Sequence, residues 1–595
     1  MMTKPKRIFK FFPGLAFWGI VVLFFGLVYP YHVAFHEQYQ LFLFSGQYFI
    51  ELLSIPGGGA DYIARFLTQF FLFPWLGAGI IASVLTLIQI LFLRIIRLFT
   101  HSNSLVNTIV SFVPSIAIMA FLCDENAMLS LPIALLFALS ASLTCMQIPK
   151  NTTRSICGVL LFPVLFWIAG SASIIFVALL LLHEILLNQY KFSIPKWIAV
   201  FSVFVLYVYA VLLASQLLVS YPLSRVLNGI NYYRYPDFMP FIKNVALLLF
   251  VSISFLTILI HRVIKKEQMI WASIVLFLLV FGGGTGLIIS KVDTAKEEAF
   301  AYNYMARMHQ WNAIIQKAEK NPPVSSLAST CVNLALAKTG QLGNHMFQFP
   351  QYDKLESLLP KYQRDMMTPL FAGEVYYHLG MVNTAHRLAV EAMESIPDYQ
   401  KSARCYKRIA EVSIINGNYK TARKYLNVLE ETLFYRKWAK RAETLLFNDE
   451  SVNKHPEFGS LRKNRIDEDF FFNADEQDII LALLLKKNST NRVAFEYLMA
   501  YKLLERDITG FIKFFSLGDG ISYFSIPVHF QEALTVLWSS QNKPLNEIPW
   551  EIDTRISNNM KAFIAEYNSV TDKKLLADKF GDTYWYYLLC EKDNK

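Results

Sequence analysis

The run ICGVLLFPVLFWIAGSASIIFVALLLLHEILL, residues 156–187, decides the fold, because it is too long for one membrane crossing and long enough for two short ones. A crossing helix needs roughly 20 mostly apolar residues. As one helix this run would stand on the order of 48 Å tall against a hydrocarbon core of about 30 Å. The tetrapeptide GSAS at Gly170–Ser173 allows it to break into a hairpin of two short helices.

Outward from that run, further apolar stretches of crossing length lie at 14–30, 70–93, 105–122, 128–148, 198–220, 240–260 and 269–289. A break at GSAS therefore gives nine spans, and an unbroken helix gives eight. Charge chooses between them. With the break, Lys4, Lys6, Arg7, Lys10, Arg94, Arg97, Lys150, Arg154, Lys191, Lys196, Arg262, Lys265 and Lys266 share one side, and Arg65, Arg225, Arg234 and Lys243 share the other. Without it, HRVIKK at 261–266 falls outside, against the tendency of cytoplasmic loops to carry the basic excess. The expectation is nine spans, with the amino terminus cytoplasmic and everything after residue 290 periplasmic or extracellular. The first span, after KPKRIFKFFPG, is followed by no small-residue cleavage site and reads as an uncleaved anchor. Helical spans point to an inner or plasma membrane, since outer membranes are crossed by barrels.

Composition agrees with this division. The 595 residues are 54% hydrophobic and only 17% charged, with a formal net charge of +10. Residues 1–290 hold 17 Lys/Arg and 8 Asp/Glu, so nearly all of the surplus positive charge sits beside apolar runs, where it orients spans. That placement excludes nucleic acid as a partner. The cysteines at 123, 145, 157, 331, 405 and 590 have neither zinc-site nor disulfide-framework spacing. Apart from Glu184 near a span end, no carboxylate or strong base lies deep in a span, which disfavours ion-coupled transport.

The first external loop, 31–69, carries FHEQYQLFLFSGQYFIELLSIPGGGADYIARF, with Glu37, Glu51 and Asp61 in a region poor in acid. At 100° per residue Glu37, Gln40, Gln47 and Glu51 share one face of an interfacial helix, and the remaining surface is apolar. PGGG at 56–59 ends that helix, and Asp61, Arg65 and Thr68 share a face of the next, with Asp61 and Arg65 at i,i+4 pairing distance. Two readings stand. The polar residues solvate and anchor an interfacial helix, or Glu37 or Asp61 serves as a general base whose pKa is raised by apolar surroundings. In the loop 221–238, Arg225 and Arg234 lie among tyrosines and suit either lipid headgroups or a bound phosphate. GGGTG at 282–286 lacks the Lys-Ser/Thr of a phosphate loop and reads as a site of close helix packing.

An amino-terminal span followed by an external loop of two interfacial helices carrying acids resembles the GT-C superfamily of polytopic glycosyltransferases. The resemblance covers the topology of roughly the first 290 residues. It implies a lipid-linked sugar donor, Glu37 as catalytic base with Asp61 as the second catalytic candidate, and His36, Arg225 and Arg234 as substrate-binding residues. In that family the acid after the first span also helps to bind a metal, and Asp124 and Glu125 of the second external loop supply a candidate pair for a divalent ion. Against the acid pairs of many members this loop has HEQ, and Asp124–Glu125 alternatively reads as an exposed polar turn. The chain also resembles an uncharacterised group of Bacteroidetes membrane proteins with TPR-like tails, a likeness that implies no activity.

The tail carries repeats. YYHLGMVNTAHRLAVEAMESIP from Tyr376 aligns without gaps, at a spacing of 37, with the segment around Gly417, matching Gly380 to Gly417 and Ala385 to Ala422. AYNYMARMHQWNAIIQKAEKNPP at 301–323 and LALAKTGQLG at 334–343 supply more diverged units. This is similar to the TPR pattern, and such stacks need about three units to bury their faces. The expected organisation is all-α: a transmembrane domain over 1–290, TPR-like repeats over 291–440, a charged connector without helical period over 441–474, and a helical, aromatic-capped region over 475–595. The expected partners are the bilayer, a lipid-linked sugar, and a protein or peptide in the groove of the repeats. The competing reading of the whole chain is a non-enzymatic scaffold that holds the repeats at the membrane for envelope protein assembly.

Overall fold

A computed structural model describes residues 12–187, 194–361, 363–396, 400–467, 476–521, 523–541, 543–544 and 547–591. Lys4, Lys6, Arg7, Lys10 and Lys191 lie outside the described residues. Among those described, the structure is all-helical, with one isolated antiparallel bridge between Ala127 and Tyr233. The chain divides into two compact units. One comprises Met1–Thr294 with Gln400–Ser402 and Glu431–Phe434, and the other holds the remainder.

In the first unit, four helical runs among the described residues are long and apolar enough to cross a membrane: Pro74–Thr100, Asn151–Ile185, Phe241–Val263 and Met269–Ile289. The count reaches five if Phe12–Val28 and Pro30–Tyr39, bent by 86°, form one span. This corrects the nine expected. Part of the shortfall arises because Leu105–Phe121 and Ser130–Met146 have at most 17 helical residues each, short of the roughly 20 a crossing needs, and because Asn151–Ile185 counts once. Exposed apolar side chains along the later spans, among them Leu248, Trp271 and Leu278, are what a helix presents to lipid.

The run Asn151–Ile185 is not straight. Arg154 and Glu184, thirty residues apart, form an ion pair, and a Cβ on Gly158 would sit 2.4 Å from a methyl of Leu180. Both contacts require the run to double back, and it does so at GSAS, where Gly170 takes φ +66°, ψ −155°, a conformation open to glycine and strained for other residues. Tyr232 clamps the break, accepting from Ala172 N at 2.9 Å and donating to Ala169 O.

Contacts within the unit sort its loops into two ends. At one, Arg94 and Arg97 lie in the last turns of Pro74–Thr100, Ser104 Oγ is 3.1 Å from His261 Nε2, and the ring of His183 is 6.0 Å from that of Phe99. The Arg154–Glu184 pair belongs to the same end. At the other, Tyr29 Oη accepts from Asp293 N at 3.1 Å, Trp167 Nε1 donates to Leu53 O at 2.8 Å, and Ser130 Oγ donates to Asp61 Oδ1 at 2.8 Å. GGGTG lies in the last span, where a Cβ on Gly284 would meet Ile116 Cγ2 at 2.9 Å, as close helix packing requires.

The loop 31–69 departs from its expected form. A helix Pro30–His36 and a short turn Glu37–Tyr39 give way to extended backbone at Gln40, and a new helix, Gly46–Leu53, starts with Ser45 Oγ accepting from Tyr48 N at 3.3 Å. Glu37 and Gln40 are buried while Glu51 is exposed, so the four residues do not form one polar stripe. Phe35, Tyr39 and Phe42 are buried with Glu37 and Gln40.

In the second unit one turn recurs. The helices ending before His309, Gly340, Gly380, Gly417 and Arg506 each close with that residue in the left-handed region, at φ +54°, +70°, +98°, +77° and +61°. At each, the following N–H reaches back five residues: Gln310 to Met305, Gln341 to Leu336, Met381 to Tyr376, Asn418 to Ser413 and Asp507 to Lys502. This is a Schellman ending, which satisfies the last carbonyls and turns the chain directly into a second helix. A buried network braces the stack: Arg404 Nη2 and Arg408 Nη2 donate to opposite oxygens of Glu374 at 2.8 and 2.7 Å, and Arg404 Nη1 donates to Asn303 Oδ1 at 2.7 Å. The connector expected to lack helical period instead contains the helices Asp449–Lys454 and Pro456–Asn464. Their starts are set by Asn448 and His455, whose side chains accept from Ser451 N and Phe458 N. Trp585 and Tyr584 of YWYYLL are buried, with Trp585 Nε1 donating to Glu532 O at 3.1 Å.

Candidate functional site

The helix Pro30–His36 starts with proline in its first turn, where the missing N–H is harmless. The i,i+4 spacing in HVAFH then places His32 and His36 on one face, with their Nε2 atoms 3.0 Å apart. His32 Nε2 also lies 3.0 Å from Leu122 O, and a carbonyl only accepts, so in this contact His32 Nε2 donates. Tyr29 stacks on His32 at 4.3 Å.

One turn on, Tyr39 lies beneath the guanidinium of Arg234, whose Cζ is 4.7 Å from the ring centre and 4.8 Å from that of Tyr235. Two backbone bonds hold Arg234 there: Arg234 N donates to Asn126 O at 2.8 Å and Met128 N to Tyr232 O at 3.0 Å, lacing the loop 230–235 to the turn 123–128. The same lacing brings in Glu125, which acts electrostatically on both His36 and Tyr39. Three distant stretches thus meet at the end of the unit opposite Arg94, Arg97 and Arg154. His36, Glu37 and Arg234 are buried. A cavity of about 10 Å³ touches His32, His36, Thr68 and Leu122, room for about one water molecule.

The other residues singled out from sequence have structural duties. Asp61 is fully buried, with Oδ2 held by Arg65 Nη2 at 2.7 Å and Oδ1 by Ser130 Oγ at 2.8 Å, so both oxygens are engaged. Asp124 shapes its turn, with Oδ1 accepting from Asn126 N at 2.8 Å and Oδ2 from Tyr233 Oη at 2.9 Å. Burial raises the pKa of its carboxyl against the pull of these bonds. Among the described residues no group of three or more His, Cys, Asp or Glu is placed to hold a metal ion. Arg225 sits over Tyr221 at 5.1 Å with Asp237 Oδ1 3.7 Å from its Nε, apart from the Arg234 stack. All six cysteines are free thiols.

Sequence reasoning passed over His32 and Tyr233, and gave Tyr39 only the role of an anchor at headgroup level. The HxxxH spacing was the available signal for the first. The tyrosines gave none, because their roles depend on which loop crosses which.

No curated protein and no solved structure matches the chain. A family model does, over residues 4–591, nearly the whole length and both compact units. The chain belongs to that family, described as a family of unknown function, DUF6057.

Proposed function

We propose that the first unit is a polytopic inner-membrane glycosyltransferase of the GT-C kind, working where His36, Glu37, Glu125 and Arg234 gather. The observation that carries this reading is the buried guanidinium of Arg234 stacked on Tyr39, whose ring lies 6.1 Å from that of His36, next in sequence to buried Glu37. Arginine held flat between rings is pre-set to grip a phosphate with two parallel hydrogen bonds. In the reaction an acceptor hydroxyl attacks the anomeric carbon of a lipid-linked sugar. The bond to the lipid phosphate breaks, its electron pair leaves with the phosphate against Arg234, and the hydroxyl proton passes to Glu37. The basic end, with Arg94, Arg97, Arg154, Arg262 and Lys265, faces the cytoplasm, and the site and second unit face outward. The second unit is a TPR-like stack that presents the acceptor or its carrier protein.

The test is Glu37→Gln in cells lacking the wild-type copy. Loss of an envelope glycan with the protein still inserted and folded supports transfer, and an unchanged glycan profile ends the proposal. A reporter fused after residue 290 should be active only outside the cytoplasm.

The scaffold reading draws on a different observation. In the second unit a charged network is buried around Glu374 and five helices close with the same Schellman ending, which suits a rigid docking platform. An intact glycan profile in Glu37→Gln, together with a partner lost on deleting residues 295–595, would favour it.

A further inference from the structure

In the second unit the helix Pro456–Asn464 and the turn entering Arg492–Leu504 enclose a groove of about 450 Å³, within the range of small-molecule sites. Such sites are usually apolar, and this one is not. Lys454, Lys463 and Arg492 bring positive charge to its walls, and among the described residues its lining contains no carboxylate. Arg492 is fixed, with Nε donating to Glu496 Oε1 at 2.7 Å and Nη2 to Gly340 O at 2.6 Å. Lys454 pairs with Glu450. Lys463 is exposed and has no carboxylate partner among the described residues, so its charge is open to a ligand.

The remaining lining is amide and hydroxyl. Asn488 Nδ2 donates to Asn464 Oδ1 at 2.6 Å across the groove, and Asn488 Oδ1 accepts from Thr490 Oγ1 at 2.8 Å, which sets the amide orientations. Asn491 Nδ2 is tied to Leu379 O at 3.1 Å. Ser460, exposed on the wall, adds a hydroxyl that both donates and accepts. Side chains that donate and accept at once match the vicinal hydroxyls of a sugar, and the cations match an acid attached to it. We propose that this groove binds an anionic sugar, a hexose bearing a phosphate or carboxylate. The site is independent of the transfer proposed for the membrane unit, and Glu37→Gln leaves its binding unchanged.

The test is saturation-transfer NMR on the full chain in detergent, with glucose 6-phosphate, glucuronate and glucose as separate probes. At least one charged sugar should give a saturable, salt-sensitive signal that weakens about tenfold or more in Lys463→Glu, while glucose binds more weakly. The probe that binds tells phosphate from carboxylate. Should Lys463→Glu melt below wild type, Lys463→Gln takes its place. Absence of signal from both charged sugars, equal binding of glucose, or indifference to Lys463 overturns the proposal. So does displacement of the sugar phosphate by inorganic phosphate at equal concentration, which would leave the sugar ring without a role.

Discussion

The guanidinium of Arg234 stacks on the ring of Tyr39 with 4.7 Å from Cζ to the ring centre, joining residues from opposite ends of the membrane unit's sequence. Lysine in place of Arg234 keeps the charge and loses both the plane and the paired donors. Arg234→Lys should therefore cut the proposed transfer by about 100-fold or more while leaving the melting temperature near wild type. Measuring both on one preparation separates loss of grip from loss of fold.

Asp61 and Arg65 form a buried pair at 2.7 Å. Removing one member strands the other charge, so Asp61→Asn should destabilise the unit by about 3 kcal/mol or more. Exposed Glu51, bonded to Gln47, is the control, and Glu51→Gln should change stability by less than about 0.5 kcal/mol. Thermal unfolding in detergent, read on both variants, checks the contrast.

Gly380 and Gly417 both take positive φ, yet their surroundings differ. A Cβ on Gly380 would stand 2.8 Å from Asn464 Cβ, whereas one on Gly417 meets open space. Gly417→Ala should cost about 1 kcal/mol from backbone strain alone, and Gly380→Ala about 1–3 kcal/mol more from overpacking. Equal losses in chemical denaturation would contradict the contact.

Burial would raise the pKa of the Glu374 carboxyl, but Arg408 and Arg404 outweigh it and hold that pKa well below the ordinary 4.5. The folded state thus binds this proton less readily than the unfolded state. Its stabilisation is complete above the ordinary value and is lost as pH falls through the depressed one. Glu374→Gln should cost about 3–5 kcal/mol at neutral pH, with the gap to wild type narrowing only in acid. Urea midpoints taken from about pH 7 down to about pH 3 test the sign.

Much of this architecture was legible because it rests on local chemistry. Gly170 announces the reversal in the long apolar run, the aligned Gly380 and Gly417 announce the turns, and the i,i+4 spacing of Asp61 and Arg65 announces their pair. What escaped depends on contacts between distant segments. Glu37 reads as one element of a polar stripe until the extended backbone at Gln40 is seen to separate it from Gln47 and Glu51. That Asp124 accepts from Tyr233 could not be foreseen, because the tyrosine arrives from another loop. The span count was overdrawn because hydropathy marks apolar runs such as 105–122 and 128–148 without registering that their helices stop short of a full crossing.

The reversal at Gly170 also has a bearing on biogenesis. Arg154 emerges from the ribosome thirty residues before Glu184, the carboxylate that neutralises it. Arg154 is buried at the basic end, so the first arm settles there only once the second has brought its neutralising carboxylate, and the two arms pack as one unit.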